Sequence, residues 1–335
     1  LYLTTTAIAI TLAIALALVI APGATDQAMT STASFSAKEA PSLTQVLINI
    51  IPSNPVNAMA EGNMLQIIVF ALLFGIAVSL AGESGKRIAA FFEDMNEVVM
   101  KIVNIIMNLA PYGVFFLMAK LASEISPSTF INVAKYFFVV LLALGVHALV
   151  TYPTILKFLT GLNPVIFIRK MRDTALFAFS TASSNATIPV TLETTTKKMG
   201  VDNSIASFTV PLGATINMDG TAIMQGVATV FIAQVYGVDL SIADYLMVIL
   251  TATLASIGTA GVPGVGLIML AMVLQQVGLP VEGIALIIGV DRLLDMTRTA
   301  VNVTGDSMVT VIVAKTEKEL DTEIYNDPWI GRKTE

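Results

Sequence analysis

Asp291, Asp295, Arg298, Thr299, Asn302 and Asp306 all lie in the stretch VDRLLDMTRTAVNVTGD, which is otherwise largely apolar. On a helix of 3.6 residues per turn they fall within an arc of roughly 100°. Such a stripe of carboxylate, amide, hydroxyl and guanidinium groups can bind ions or a small charged molecule. A guanidinium fork matches a carboxylate in bidentate fashion. The plainer reading is that Asp291–Arg298 or Asp295–Arg298 are ion pairs that pin helices together. Pinning alone needs neither this many polar groups nor a matching Asp219 on another helix.

A second constellation is NMDGT, residues 217–221. Gly220 favours a broken helix, and a break frees backbone carbonyls. Asn217, Asp219 and those carbonyls are hard oxygen donors. Without cysteine or paired histidine, an oxygen-only set fits alkali cations rather than zinc or copper. A glycine kink capped by an aspartate is the simpler alternative. Two further segments, SSNATIPV (183–190) and SIGTAGVPGVG (256–266), are rich in serine, glycine and small residues. Tips of this kind expose backbone N–H groups and helix N-termini, which favour an anionic group. The glycines of the second are no dinucleotide fingerprint, because no strand precedes them.

The elements that must position these groups belong to a membrane protein. The 335 residues are 55% hydrophobic and 13% charged, where a soluble domain carries about 25% charged residues. Spanning a bilayer takes about 20 apolar residues. Candidate spans are 3–21, the pair 44–59 and 63–81, then 98–121 and 129–158. Beyond residue 163 the segments 174–192 and 247–275 are too broken by Gly, Ser, Thr and Pro for straight helices. They are expected to be re-entrant hairpins, since irregular backbone survives at membrane depth only against protein or a cavity. Each precedes a span with a disruption of its own, NMDGT in one and NVTGD (302–306) in the other. Hairpin plus marked helix, occurring twice, is the signature of internal repeats around a midplane site.

Charge placement orients the chain. Lys86, Arg87, Arg169, Lys170, Arg172, Lys197, Lys198, Lys315 and Lys318 flank spans or hairpins, and none occurs between Lys198 and Arg292. The positive-inside rule places them in the cytoplasm, with the C-terminus, and the second hairpin on the opposite side from the first. A net charge of −6 speaks against a nucleic-acid partner. There is no cysteine. The single histidine, His147, sits in an apolar run and reads as a packed, hydrogen-bonded residue. No nucleophile–base pair or metal-ligand cluster is in place for an enzyme.

These motifs together, NMDGT, SIGTAGVPG and DMTRTAVNVTGD, resemble the glutamate transporter family, the dicarboxylate/amino acid:cation symporters, and the resemblance runs from Tyr2 to about Thr316. It implies an all-α polytopic homotrimer in the cell membrane, with inverted repeats, a static scaffold and a transport domain that moves like an elevator. Residues 1–21 resemble the third span, 22–43 an extracellular loop and 44–121 the scaffold. Residues 127–318 then hold a span, hairpin 1 (163–200), the broken helix (203–236), hairpin 2 (241–280) and the last span (281–318), followed by a cytoplasmic tail, 319–335. Hairpin 2 is the expected extracellular gate.

By the same resemblance the solute is an acidic amino acid. Asp295 takes its amino group and Arg298 its side-chain carboxylate, with Ser183, Ser184, Thr221, Val262, Gly266, Thr299 and Asn302 around it. Sodium is the coupling ion, in three sites. One resembles Gly213, Asn217, Asn302 and Asp306; another Tyr2, Thr5, Thr6, Asn217 and Asp219; a third Thr215, Ser256, Ile257 and Thr259. Asp295 argues against plain dicarboxylates and Arg298 against neutral amino acids. A proton-coupled carrier and an anion channel are the alternatives within the fold. Three positions depart from the family pattern. Ala182 stands where archaeal members carry an arginine, with Arg292 the candidate to supply that charge. Asn185 replaces a tip serine. Gln225 replaces the proton-carrying glutamate of animal members, so no proton coupling is expected through that position.

Overall fold

The computed structural model describes residues 1–24, 51–61, 64–107, 112, 116, 127–257, 261 and 264–327. Among them it is all-α, with one isolated antiparallel bridge between Val201 and Leu320. Of the positions singled out above, Thr259 and Val262 lie outside the described residues, as do most of 22–43 and the tail beyond 327.

The chain forms two compact units, Leu1–Ala40 with Ser128–Glu335, and Pro41–Pro127. The second unit contains α2 (Pro55–Glu61), α3 (Met64–Leu80) and α4 (Gly82–Met107). Phe74 of α3 meets Phe92 of α4 edge-on at 5.5 Å. α4 starts well before the apolar run expected at 98. Its stretch 83–97 carries Glu83, Lys86, Arg87, Glu93, Asp94 and Glu97, yet apolar Ile88, Phe91, Phe92 and Met95 recur at helical spacing. Helical period, rather than mean apolarity, sets this boundary.

The first unit holds every described candidate site residue. Its helices are α1 (Tyr2–Ile20), α5 (Pro127–Val146), α6 (Tyr152–Thr160), α7 (Pro164–Thr181), α8 (Ser184–Glu193), α9 (Asn203–Ile216), α10 (Asp219–Tyr236), α11 (Ile242–Ser256), α12 (Val265–Gln276), α13 (Ile284–Glu317) and α14 (Thr322–Asn326). A five-residue π-turn, His147–Thr151, joins α5 to α6, so the two run on as one apolar helix. Among the described residues, two helices are long and apolar enough to cross a membrane, Tyr2–Ile20 and Phe130–Thr160; Val69–Leu80, Ile242–Ser256 and Val265–Gln276 are shorter apolar helices.

Local chemistry places the ends. Asn163 caps α7 through a bond from Val165 N, with Pro164 at the first helical position. Ala182, in the left-handed region, ends α7, and Ser183 at once caps α8 by accepting from Ala186 N. Hairpin 1 therefore turns at Thr181–Ser184. Ser241 and Asp244 form a capping box that starts α11, the first leg of hairpin 2. α10, buried over nearly its whole circumference, is the centre of the unit, and α1 packs along it through Ile10 and Ala13 against Gly226.

Two expectations about broken helices need correction. The break in NMDGT falls at Asn217 and Met218; α9 ends at Ile216 and α10 resumes at Asp219. Gly220 lies inside the new helix, where a side chain would come within 2.6 Å of the Arg298 carbonyl oxygen. It is glycine for close approach of α13, not for the kink. NVTGD is not a second disruption, because α13 runs unbroken from Ile284 to Glu317. The hydroxyls of Thr304, Ser307 and Thr310 bond back to the carbonyls of Ala300, Val303 and Asp306, so these polar residues stay within the helix.

Thirty-four residues make α13 about 51 Å long at 1.5 Å per residue. The base of hairpin 1 is bonded to the segment just after its C-terminal end, through Asp202 N to Glu319 O and Asp321 N to Gly200 O. Hairpin 2 leads directly into its N-terminal end through Val281–Gly283. The tips meet between, where Ser183 Oγ and Asn185 N both donate to Gly261 O.

Candidate functional site

The polar stripe of α13, the break at Asn217–Met218 and the two hairpin tips converge on one pocket. Ala182 and Ser184 from hairpin 1, Gly261, Val265 and Gly266 from hairpin 2, Met218 and Thr221, and Asp295, Thr299 and Asn302 of α13 line it, closed down to about 20 Å³. Six residues expected to hold the solute therefore share its wall: Ser184, Thr221, Gly266, Asp295, Thr299 and Asn302.

Arg298 is fully buried behind that wall. Its Nη2 donates to Asp295 Oδ1 at 2.9 Å. Its Nη1 lies 3.0 Å from Asp291 Oδ1, an ion-pair distance without hydrogen-bond alignment, and Arg298 Nε has no acceptor. The guanidinium thus retains donors that its neighbours do not satisfy. Asp295 Oδ2 accepts from Gly264 N at 3.1 Å, which ties the pocket to the start of α12. Ser183 serves the tip contact with Gly261 O instead of lining the wall. Arg292 is exposed and lines no part of the pocket.

A second cluster lies deeper, beside the break. Asn217 Nδ2 donates to Asp306 Oδ1 at 2.9 Å and to Asn302 O at 3.2 Å. Both partners are acceptors, so the amide orientation is fixed, and the buried Asn217 Oδ1 is left with no partner. Gly213 comes close enough that a side chain there would meet Asp306 Oδ1 and the Tyr2 hydroxyl. Asp219 accepts from Thr6 Oγ1 at 2.5 Å and from Tyr152 OH at 2.8 Å, and His147 Nε2 stands 3.3 Å from its second oxygen. Thr5 Oγ1 donates to Tyr2 O at 2.8 Å, and Tyr2 O lies 2.9 Å from Thr6 Oγ1 as the alternative acceptor for its one proton. The residues of two expected cation sites, Tyr2, Thr5, Thr6, Gly213, Asn217, Asp219, Asn302 and Asp306, are therefore brought together. Thr215, Ser256 and Ile257 are not joined by any hydrogen bond among the described residues. Thr215 is exposed and bonds to Leu212 O, and Ser256 bonds to Thr253 O.

Sequence reasoning missed Tyr152 and underused His147. In an α-helix, residues five apart point well away from each other. The π-turn His147–Thr151 widens the helix by one residue and stacks His147 edge-on against Tyr152 at 4.4 Å. Both then face the same carboxylate. A π-turn has no strong sequence signature, and the spacing HALVTY carries none.

Four carboxyl groups, Asp219, Asp291, Asp295 and Asp306, are buried against one buried guanidinium, that of Arg298, among the described residues.

A profile described as the sodium:dicarboxylate symporter family matches residues 1–316. The chain belongs to that family. It is accordingly a membrane protein of an all-α transporter family. A proton/sodium-glutamate symport protein of Bacillus subtilis (strain 168) is 37% identical over 276 residues, covering 82% of this chain and 64% of the relative. The proton/glutamate-aspartate symporter of Escherichia coli (strain K12) is 38% identical over 327 residues, 94% of this chain and 74% of the relative. Excitatory amino acid transporter 3 of Mus musculus is 44% identical over 261 residues, 77% of this chain and 50% of the relative. The chain thus spans between half and three quarters of the length of these relatives.

Proposed function

We propose that this chain works as a sodium-coupled symporter that takes up L-aspartate or L-glutamate. The observation that carries the reading is that, among the described residues, four carboxyl groups are buried against one guanidinium, which meets only Asp291 and Asp295. Uncompensated charge in an apolar interior is costly, and entering cations would supply what is missing. Asn217 Oδ1 favours metal cations over protons. A proton neutralises one carboxylate, whereas a sodium ion held between Asn217 and Asp306, or between Asn217 and Asp219, also satisfies the orphan amide oxygen. Sodium here is cargo, carried with the solute.

Solute choice follows from an exchange of partners. Arg298 now leans on Asp295 at 2.9 Å. A solute carboxylate that takes the guanidinium fork leaves Asp295 in need of a cation, and an α-ammonium group supplies it. An acidic amino acid brings both charges. Succinate brings no ammonium, and serine brings no second carboxylate. The Ser184 hydroxyl and the amides at the start of α12, which line or border the pocket, would take the remaining carboxylate. Sodium at the Asn217 break would order the backbone beside the pocket, so ion and solute should each favour the other's binding.

The larger arrangement rests on family membership and on the two compact units. Residues 44–121 would be the static scaffold of a homotrimer in the cell membrane. Residues 1–21 with 127–318 would be the part that travels, with hairpins 1 and 2 re-entrant and the C-terminus cytoplasmic. Hairpin 2 would open outward.

Uptake of labelled L-glutamate and L-aspartate into proteoliposomes, driven by a sodium gradient or by a proton gradient alone, tests the proposal. Uptake on the sodium gradient, blocked by choline replacement and untouched by succinate or serine, is expected. Uptake on the proton gradient alone would favour proton coupling, the reading that the name of the Escherichia coli relative offers.

A further inference from the structure

Hairpin 1 is tied at both ends, and the two ties differ. Its tip is bonded to hairpin 2, among the described residues, through one acceptor, Gly261 O, which receives Ser183 Oγ at 2.7 Å and Asn185 N at 3.3 Å. Its base is held by Lys170. The Lys170 side chain is buried, and its ammonium donates to three backbone carbonyls: Lys198 O at 2.6 Å, Ile324 O at 2.7 Å and Tyr325 O at 2.8 Å. Lys170 stands on α7, one leg of the hairpin. Lys198 closes the π-turn that ends the other leg. Ile324 and Tyr325 belong to α14, beyond the last long helix. One cation therefore fastens three segments, at carbonyls that helix C-termini leave without partners and where the helix dipole favours positive charge.

Other contacts at the base point the same way. Tyr325 is fully buried, its hydroxyl donates to Asn163 O at 3.0 Å, and Asn163 is the cap of α7. Its ring lies 5.8 Å from the Lys170 ammonium. Asp321 N bonds Gly200 O at 2.8 Å and Asp202 N bonds Glu319 O at 2.9 Å, flanking the Val201–Leu320 bridge. Gly200 has φ +75°, and a side chain there would stand 2.6 Å from Asp321 O. A segment with no need to pack would not bury a tyrosine, spend a buried ammonium and require a left-handed glycine.

We propose that residues 318–327 form a strap that holds the two legs of hairpin 1 together at their base, with Lys170 as its positioning residue, so that hairpin 1 keeps Ser184 fixed in the pocket wall. The effect on transport rests on the symport reading; the strap itself does not. Loss of Lys170 would let the legs part, and the pocket wall would lose definition at Ser184.

These 335 residues hold no cysteine, so a single reporter introduced among them is read against the protein without it. Thr195 is fully buried next to Thr194, whose hydroxyl meets that of Thr174 on the other leg at 2.8 Å. The experiment measures maleimide labelling of Thr195→Cys in the full-length protein, alone and combined with Lys170→Met, Lys170→Arg or Tyr325→Phe. If labelling follows the population of locally opened protein, Lys170→Met should raise the rate about tenfold and Tyr325→Phe about threefold, with Lys170→Arg nearer the parent. In proteoliposomes Lys170→Met should raise the KM for L-glutamate severalfold and leave the KM for sodium, measured at saturating L-glutamate, unchanged. General loss of folded protein would lower the maximal rate and move neither KM. Unchanged labelling in both Lys170→Met and Tyr325→Phe, or an unchanged KM for L-glutamate, would overturn the strap. Should Lys170→Met fail to fold, Tyr325→Phe decides the labelling. Should the parent show no uptake, the symport reading falls while labelling still tests the strap.

Discussion

The two buried carboxylate pairs on either side of Asn302 have the same chemistry and opposite surroundings. Asp291 and Asp295 share a guanidinium that lies 3.0 Å from one and 2.9 Å from the other. Asp219 and Asp306 have no arginine or lysine beside them among the described residues: Thr6, Tyr152 and Asn217 donate to them, and the His147 imidazole lies 3.3 Å from Asp219. A pair with its own counter-charge can persist without a ligand and can trade that partner for another. A pair with none calls for a cation from outside. The first arrangement suits selection of a zwitterion carrying an extra carboxylate, the second suits obligatory coupling to an ion. Both are set by α13, which lays Asp295, Asn302 and Asp306 along one face.

Removing the shared counter-charge should have the largest effect. Arg298→Ala would strand two buried carboxylates, a change that costs about 3–5 kcal/mol. Chemical denaturation should show that loss, and binding of L-aspartate and L-glutamate should disappear in calorimetry. If Arg298→Ala still bound acidic amino acids, the exchange of partners would be wrong.

Neutralising the pair without a counter-charge should act in the opposite sense when sodium is absent. Asp306→Asn and Asp219→Asn each remove an uncompensated charge, so each variant should melt above the wild type in choline, by about 1–3 kcal/mol of stability. In sodium the order should reverse, and the sodium affinity of each variant should fall about a hundredfold, or ~2.7 kcal/mol. A variant that melts below the wild type in both buffers would remove the contrast between the two pairs.

Smaller effects should follow at the neutral donors. Tyr152→Phe removes the 2.8 Å bond to Asp219 and should weaken sodium binding about tenfold, ~1.4 kcal/mol. His147→Gln keeps a donor near the same oxygen and should cost less than His147→Leu, as read by sodium titration of solute binding. Gln225 should contribute nothing to ion coupling. It is a buried neutral amide, and acidification during uptake, if any occurs, should be the same in Gln225→Ala as in the wild type.

The α13 stripe was legible because period 3.6 alone puts Asp291, Asp295, Arg298 and Asn302 on one face. The turn of hairpin 1 was legible from small, polar residues in apolar surroundings, and Ser183 at the helix start after it is an ordinary cap. Three features were not legible for definite reasons. Gly220 could serve a kink or a close approach, and sequence cannot separate them; the Arg298 backbone beside it decides. Gly305 and Thr304 read as breakers, but the threonine hydroxyl satisfies Ala300 O inside a continuous helix. The approach of His147 and Tyr152 to Asp219 depends on a π-turn, and the strap at Lys170 depends on a contact 155 residues away along the chain. Local patterns carry no record of such distant pairs.

The most direct test is the melting temperature of the solute-free protein titrated with sodium chloride against choline chloride. The account predicts a rise in sodium alone, worth about 2.7 kcal/mol when sodium reaches a hundred times its dissociation constant, and no rise in a double variant carrying Asp219→Asn and Asp306→Asn. Equal melting in the two salts for the wild type would mean that Asp219 and Asp306 do not hold sodium, and the coupling mechanism would fail with them.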